Sequence, residues 1–155
     1  MRSLLGLLCT SLLLAACSTP TISPESSTNR PCTKADVTEL LSSFVRAIDA
    51  GDRQAIEAAL ATGVIFSDDR RQVGGDFASP RARDAIVDYF LDRHAAGERF
   101  ELTRGQANSI RDFEYDLKVS VAQVGTHVAI GKGTTNDPFE CSEQRIAVWN
   151  MVRRP

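Results

Sequence analysis

The chain is 155 residues long, with a formal net charge of −2 and 25% charged residues. That length fits one compact domain with short appendages. Arg70-Arg71 and Arg153-Arg154 are isolated basic pairs that read as solvated surface, so no basic stripe exists and nucleic acid is not an expected partner.

In chain order, Met1-Arg2 supplies a positive charge, an apolar run follows from Leu4 to Ala16, and Leu14-Ala15-Ala16-Cys17 closes it. A charged start, a short apolar core and small residues before a cleavage point form a secretory leader. The run falls short of the roughly 20 apolar residues a spanning helix needs. With cysteine directly after the small pair, the segment resembles a bacterial lipoprotein signal with its lipobox. The resemblance implies removal of residues 1–16 and acylation of Cys17, with palmitate among the chains. Each buried methylene then holds the protein to the bilayer by about 0.8 kcal/mol. Ser18 follows in place of the aspartate that retains such proteins at the inner membrane. The expected location is therefore the outer membrane of the cell envelope, facing the periplasm.

Residues 17–31 are the acylated cysteine and a Ser/Thr/Pro-rich stretch with one aliphatic side chain, Ile22. Such a segment cannot offset its ordering entropy by burial and reads as a flexible linker. The domain spans 32–155. Of four cysteines, Cys9 leaves with the leader and Cys17 carries lipid, which leaves Cys32 and Cys141. In an oxidising compartment this pair is expected to form a disulfide. Closing a loop of that size stabilises by about 4–5 kcal/mol in the chain-entropy treatment. No Cys-x-x-Cys spacing exists, so no metal site and no cofactor are expected.

Within the domain, Thr33 and Asp36 cap a helix whose apolar residues Leu40, Leu41, Phe44, Val45 and Ile48 recur at helical spacing. Gly51-Asp52 breaks it and caps a second helix, which Gly63 is expected to end. Val64-Ile65-Phe66 suggests a strand, and residues 67–79 a polar loop. Ser79-Pro80 starts a third helix, with Ile86, Val87, Phe90 and Leu91 facing inward and Gly97 ending it. From Phe100 the period changes to two, most clearly over Phe113, Tyr115, Leu117, Val119 and Val121. Further strands follow over His127–Thr134 and from Cys141 to about Val152. Helices first and strands last give an α+β class, with three N-terminal helices packed on one face of an antiparallel sheet. Ile146 and Val148 compete with Trp149 and Met151 for the inward face of the last strand.

This order, with Phe44-Val45-Arg46-Ala47-Ile48-Asp49-Ala50-Gly51-Asp52-Arg53-Gln54-Ala55-Ile56 across the first two helices, resembles the nuclear transport factor 2-like superfamily, which includes the SnoaL-like polyketide cyclases and the ketosteroid isomerases. The resemblance implies a cone, a strongly curved sheet wrapped round the helices, with a pocket at the wide end and frequent homodimers. It places the isomerases' general base on Asp68. Their oxyanion-stabilising tyrosine falls on Phe44, which has no hydroxyl to donate.

Other chemistry is sparse. His94 sits where a histidine favours a helix C-terminus, and His127 lies at a strand end. Neither has a carboxylate at ligand spacing, so no metal site results. Gly131-Lys132-Gly133-Thr134-Thr135 lacks the upstream glycine and following helix of a phosphate loop. Phe44, Ile48, Phe66, Phe90, Tyr115 and Trp149 are candidates to line an apolar pocket. The leading expectation is a lipid-anchored, non-catalytic binder of a small apolar ligand or of another envelope protein. The alternatives are an isomerase, cyclase or dehydratase using Asp68, and a structural, secretion-associated or immunity-type envelope component.

Overall fold

A computed structural model describes residues 30–68, 71–73, 82–136 and 140–154. The leader, Cys17 and nearly all of the linker lie outside the described residues, as does the expected helix start at Ser79-Pro80.

The first helix, α1, runs Lys34–Ala50 behind a capping box. Asp36 N–H donates to Thr33 Oγ1 at 3.4 Å, and Thr33 N–H donates back to Asp36 Oδ2 at 2.8 Å. The spacing of Val37, Leu41, Phe44, Val45 and Ile48 puts them on one buried stripe. Gly51 ends α1 with φ of 66°, and the His94 ring rests on it. A Cβ there would stand 2.7 Å from that ring, so only glycine meets both demands. Asp52 caps α2, Arg53–Ala59, by accepting from Ala55 N–H at 3.0 Å.

The expected stop at Gly63 comes too late. The strand β1 already begins at Leu60 and runs to Asp68, because Leu60 pairs with Ile146 and a bulge between Leu60 and Ile65 restores the inward alternation of Val64, Phe66 and Asp68. Part of the expected loop is therefore strand. Arg71–Val73 forms β2, antiparallel to β1. After α3, Ala82–Ala95, come β3, Glu98–Ala107, and β4, Asp112–Val121. Then follow β5, Gly125–Thr135, a short 3-10 turn at Cys141–Glu143, and β6, Ile146–Arg154.

The six strands form one sheet in the order β2-β1-β6-β5-β4-β3. Four of the five pairings are antiparallel as expected. The β1–β6 pairing is parallel, so the sheet is mixed. The cause is topological: α3 carries the chain across to β3, and the meander β3–β6 returns beside the strand it left. A bulge at Ala147 on β6, opposite Thr134 and Thr135, also settles the inward residues of that strand, where Ile146, Trp149 and Met151 are all buried.

Curvature comes from two glycines on the concave face of β5. Tyr115 and Phe113 on β4 lie over Gly131 and Gly133. A Cβ on Gly131 would meet Asn150 O at 2.1 Å and Tyr115 Oη at 2.3 Å. Relieving that overlap requires moving backbone. Gly131→Ala should therefore lower unfolding free energy by roughly 1–3 kcal/mol, read as a drop in the urea midpoint with little change in slope.

Candidate functional site

The concave face has an apolar end and a polar end. At the apolar end Tyr115 stacks on Trp149 with ring centroids 4.0 Å apart, and Phe44 meets Trp149 edge-on at 4.9 Å. Phe90 touches Phe44, Phe66 and Phe100 at 5.6, 5.0 and 6.1 Å. The six expected pocket residues, Phe44, Ile48, Phe66, Phe90, Tyr115 and Trp149, are each at most 1% exposed. They fill the core by packing on one another, and the grooves described below are lined by other residues.

Asp68 marks the polar end. It is the last residue of β1, and alternation points it inward with Val64 and Phe66. It is buried, 8% exposed, and not a solvated loop carboxylate. The Tyr89 hydroxyl of α3 donates to its Oδ2. Arg153 of β6 donates from Nε to Oδ1 at 3.4 Å and from a terminal nitrogen to Oδ2 at 3.2 Å. Arg93, one turn after Tyr89 on α3, brings a guanidinium nitrogen within 3.5 Å of Oδ2. Glu98, at the start of β3, accepts twice from Arg93, at 2.8 and 3.0 Å, and lies 3.7 Å from Arg153. His127 Nε2 stands 3.5 Å from Arg153, and Arg93 covers the Tyr89 ring at 4.9 Å.

Two carboxylates thus face two guanidiniums. Buried charge is tolerated when it is paired and hydrogen-bonded, as here. Burial, reinforced by the bond to Asp68, pushes the Tyr89 phenol well above its ordinary value. Burial does the same to Tyr115, whose hydroxyl donates to Asn150 O at 2.7 Å.

A general base needs a lone pair open to the substrate. Both oxygens of Asp68 are occupied by protein donors, and Phe44 supplies no hydroxyl to the interior. The arrangement is suited to locking β1, β3, β6 and α3 together at the wide end. Two buried side-chain nitrogens among the described residues lack a partner, Trp149 Nε1 and Arg83 Nε. No group of three or more His, Cys, Asp or Glu among the described residues could hold a metal ion. A groove of about 600 Å³ runs between α1 and the β3 edge, lined by Ser42, Arg46, Asp49, Arg99 and Lys118 among others. A second, of about 360 Å³, lies on the convex face beside Lys132, Asn150 and Val152.

His94 does lie in the last turn of α3, where its Nδ1 stands 3.3 Å from Arg99. Sequence reading alone singled out Asp68 and missed its partners. Arg153, read as solvated, keeps a side chain only 20% exposed. Its signal was the alternation Trp149, Met151, Arg153, which continues the inward face of β6. On α3 the signal was the helical step from Ile86 through Tyr89 and Phe90 to Arg93.

No protein-family profile matches the chain, and no curated protein sequence does. Solved structures do. A candidate ketosteroid isomerase from Kribbella flavida superposes with a TM-score of 0.63 at 9% identity, over 79% of this chain and 80% of that one. A candidate polyketide cyclase from Sinorhizobium meliloti gives 0.59 at 16% identity, over 76% and 97%. A de novo designed protein with a curved β-sheet gives 0.62 at 10% identity, over 80% and 89%. The domain has the nuclear transport factor 2-like fold. At these identities the likeness concerns the shape of the backbone alone, and the shape does not carry the chemistry.

Two outcomes follow from the cluster. Asp68→Asn should cost about 1–3 kcal/mol of stability in chemical denaturation, since it removes the charge that accepts from Tyr89 and Arg153 while Glu98 still pairs the guanidiniums. The chain's two tyrosines are Tyr89 and Tyr115, so absorbance at 295 nm should show no phenolate while the domain is folded. Because the folded phenols are raised above the unfolded value near 10, their contribution to stability is fully present below that pH and is lost as pH rises above it. Tyrosinate should appear only in one step that coincides with unfolding.

Proposed function

We propose that this chain is a lipid-anchored envelope protein whose domain catalyses nothing and binds another envelope protein through its outer surface. The observation that carries the non-catalytic half is the state of Asp68, whose oxygens are held by Tyr89, Arg93 and Arg153. A carboxylate held by a phenol and two guanidiniums is stabilised in its charged form, which makes it a weaker base towards a substrate proton. A protein partner is favoured over a small apolar ligand because the aromatic side chains that would line an inner pocket pack against each other instead.

Support for the anchored half lies in the sequence: the charged start, the short apolar run and Leu14-Ala15-Ala16-Cys17. No helix among the described residues is long and apolar enough to cross a membrane, so a covalent anchor would have to serve in place of such a helix. Ser18 favours the outer membrane and a periplasm-facing domain.

Cells expressing the full-length chain should incorporate labelled palmitate into it, and Cys17→Ser should abolish the label and release the protein from the membrane fraction. Unchanged fractionation overturns the anchored reading. For the other half, cross-linking in intact cells should capture a defined envelope protein with the wild-type chain. A turnover by the purified protein that Asp68→Asn removes, measured well below that variant's melting temperature, would replace the binder with an enzyme.

A further inference from the structure

The strand β3 closes one end of the sheet, paired with β4 on one side only. Its other side faces α1 across the groove of about 600 Å³. An edge strand carries backbone N–H and C=O groups with no sheet partner, and these form a template for a further strand.

The hydrogen bonds identify those groups here. Phe100 N–H donates to Asp49 Oδ1 of α1 at 2.9 Å, so it points away from β4. In an antiparallel ladder the N–H and C=O of one residue point the same way, and the side alternates along the strand. The Phe100 carbonyl and both backbone groups of Leu102 therefore face outward, while Arg99 and Glu101 bond to β4. Leu102 precedes the bulge and keeps its register with Leu117, so that orientation holds there. Phe100 and Leu102 both line the groove, and Leu102 is half-buried.

On either side of this stretch the edge is covered. Asp49 occupies Phe100 N–H, and Arg99 Nη1 donates to Glu98 O at 2.7 Å. Past the bulge, the Leu41 side chain lies against Gly105, 3.0 Å from where a Cβ would stand. What stays open is one residue's pair of backbone groups, those of Leu102, together with the Phe100 carbonyl.

Charge in the groove is uneven in its pairing. Lys118 bonds Glu101 at 3.1 Å, and Arg46 bonds Glu39 at 2.7 Å. Arg99 donates only to the carbonyls of His94 and Glu98 and to the His94 ring, and no carboxylate among the described residues pairs with it. A guanidinium is a planar fork matched to a carboxylate.

We infer that an extended segment of a partner protein adds to β3 in this groove. One of its residues exchanges two backbone hydrogen bonds with Leu102, and an aspartate or glutamate of the segment pairs with Arg99. This rests on the proposed reading that the domain binds another envelope protein, and gives that reading a place and a chemistry. The alternation of strands fixes the pattern further. Leu102 packs against the core, so the residue opposite it is apolar. Arg99 lies on the other face, three residues away, so the acid stands an odd number of positions from that apolar residue.

The test uses the full-length chain in intact cells. A photo-crosslinking side chain is placed at Ala50, exposed and in the groove, or at Val128, exposed on the convex face. From Ala50 the cross-link is expected to map to one segment of one other envelope protein, with the apolar and acidic residues so spaced. A blocked peptide of that segment, at saturation, should slow hydrogen exchange of the Leu102 amide in the purified wild-type chain about tenfold or more. Arg99→Glu should weaken the peptide about tenfold or more, and replacing the peptide's acid with lysine should restore binding to that variant. Capture from Val128 alone overturns the inference and leaves the envelope-binding reading standing. Capture from neither position, or of a second copy of this chain, overturns both. A peptide that leaves Leu102 exchange unchanged overturns strand addition, and one that binds Arg99→Glu as tightly as wild type overturns the pairing with Arg99.

Discussion

Tyr115 and Trp149 stack 4.0 Å apart over a strip of sheet that has no side chains, the backbone of Gly131 and Gly133. Large rings on the concave face can sit this close only where the neighbouring strand gives up its Cβ atoms. The sheet then bends towards the helices, and the Tyr115 hydroxyl reaches across Gly131 to Asn150 O. Much of the rest follows. With the rings pressed into the floor, α1 places Phe44 edge-on against Trp149, and the apolar half of the interior closes. Bulges on β1, β3 and β6 take up the remaining curvature.

Because the aromatic residues concentrate at one end, the inward positions at the other end are polar. Alternation carries β1 to Asp68 and β6 to Arg153, and β3 begins with Glu98 on the same face. An interior-facing charge there can be hydrated in an open pocket or paired in a closed one. This chain pairs them, two acids against two bases, with Tyr89 and Arg93 of α3 laid across the top. The backbone shape is similar to that of a candidate ketosteroid isomerase, and the likeness covers the shape alone. Phe44 has no hydroxyl, and the carboxylate of Asp68 is bound by its neighbours. A designed protein with a similar curved sheet makes the same point from another direction, since the curvature is a packing solution available to any sequence that meets its demands.

The sequence was legible where periodicity was strong. Val37 to Ile48 announces α1, Phe113 to Val121 announces β4, and the helix-then-strand order announces the α+β class. It was less legible where a local signal competed with a distant one. Gly63 reads as a helix stop, yet pairing of Leu60 with Ile146, over eighty residues away, had already turned the chain into strand. The parallel β1–β6 pairing has no local signature at all. Asp68 could be found by counting from Gly51-Asp52, but its occupancy could not. Arg93 and Arg153 sit at inward positions of their elements and look, as residue types, like surface. The residues expected to line a pocket are all buried, and whether such a set lines a cavity or fills one depends on three-dimensional volumes that spacing does not encode.

Rigidity follows from this distribution of charge and aromatic mass. Asp68, Glu98, Arg93 and Arg153 tie three strands to a helix, while the aromatic rings fill the rest of the core. The groove between α1 and β3 lies outside this packed interior, and Arg46, Asp49, Arg99 and Lys118 give it mixed charge.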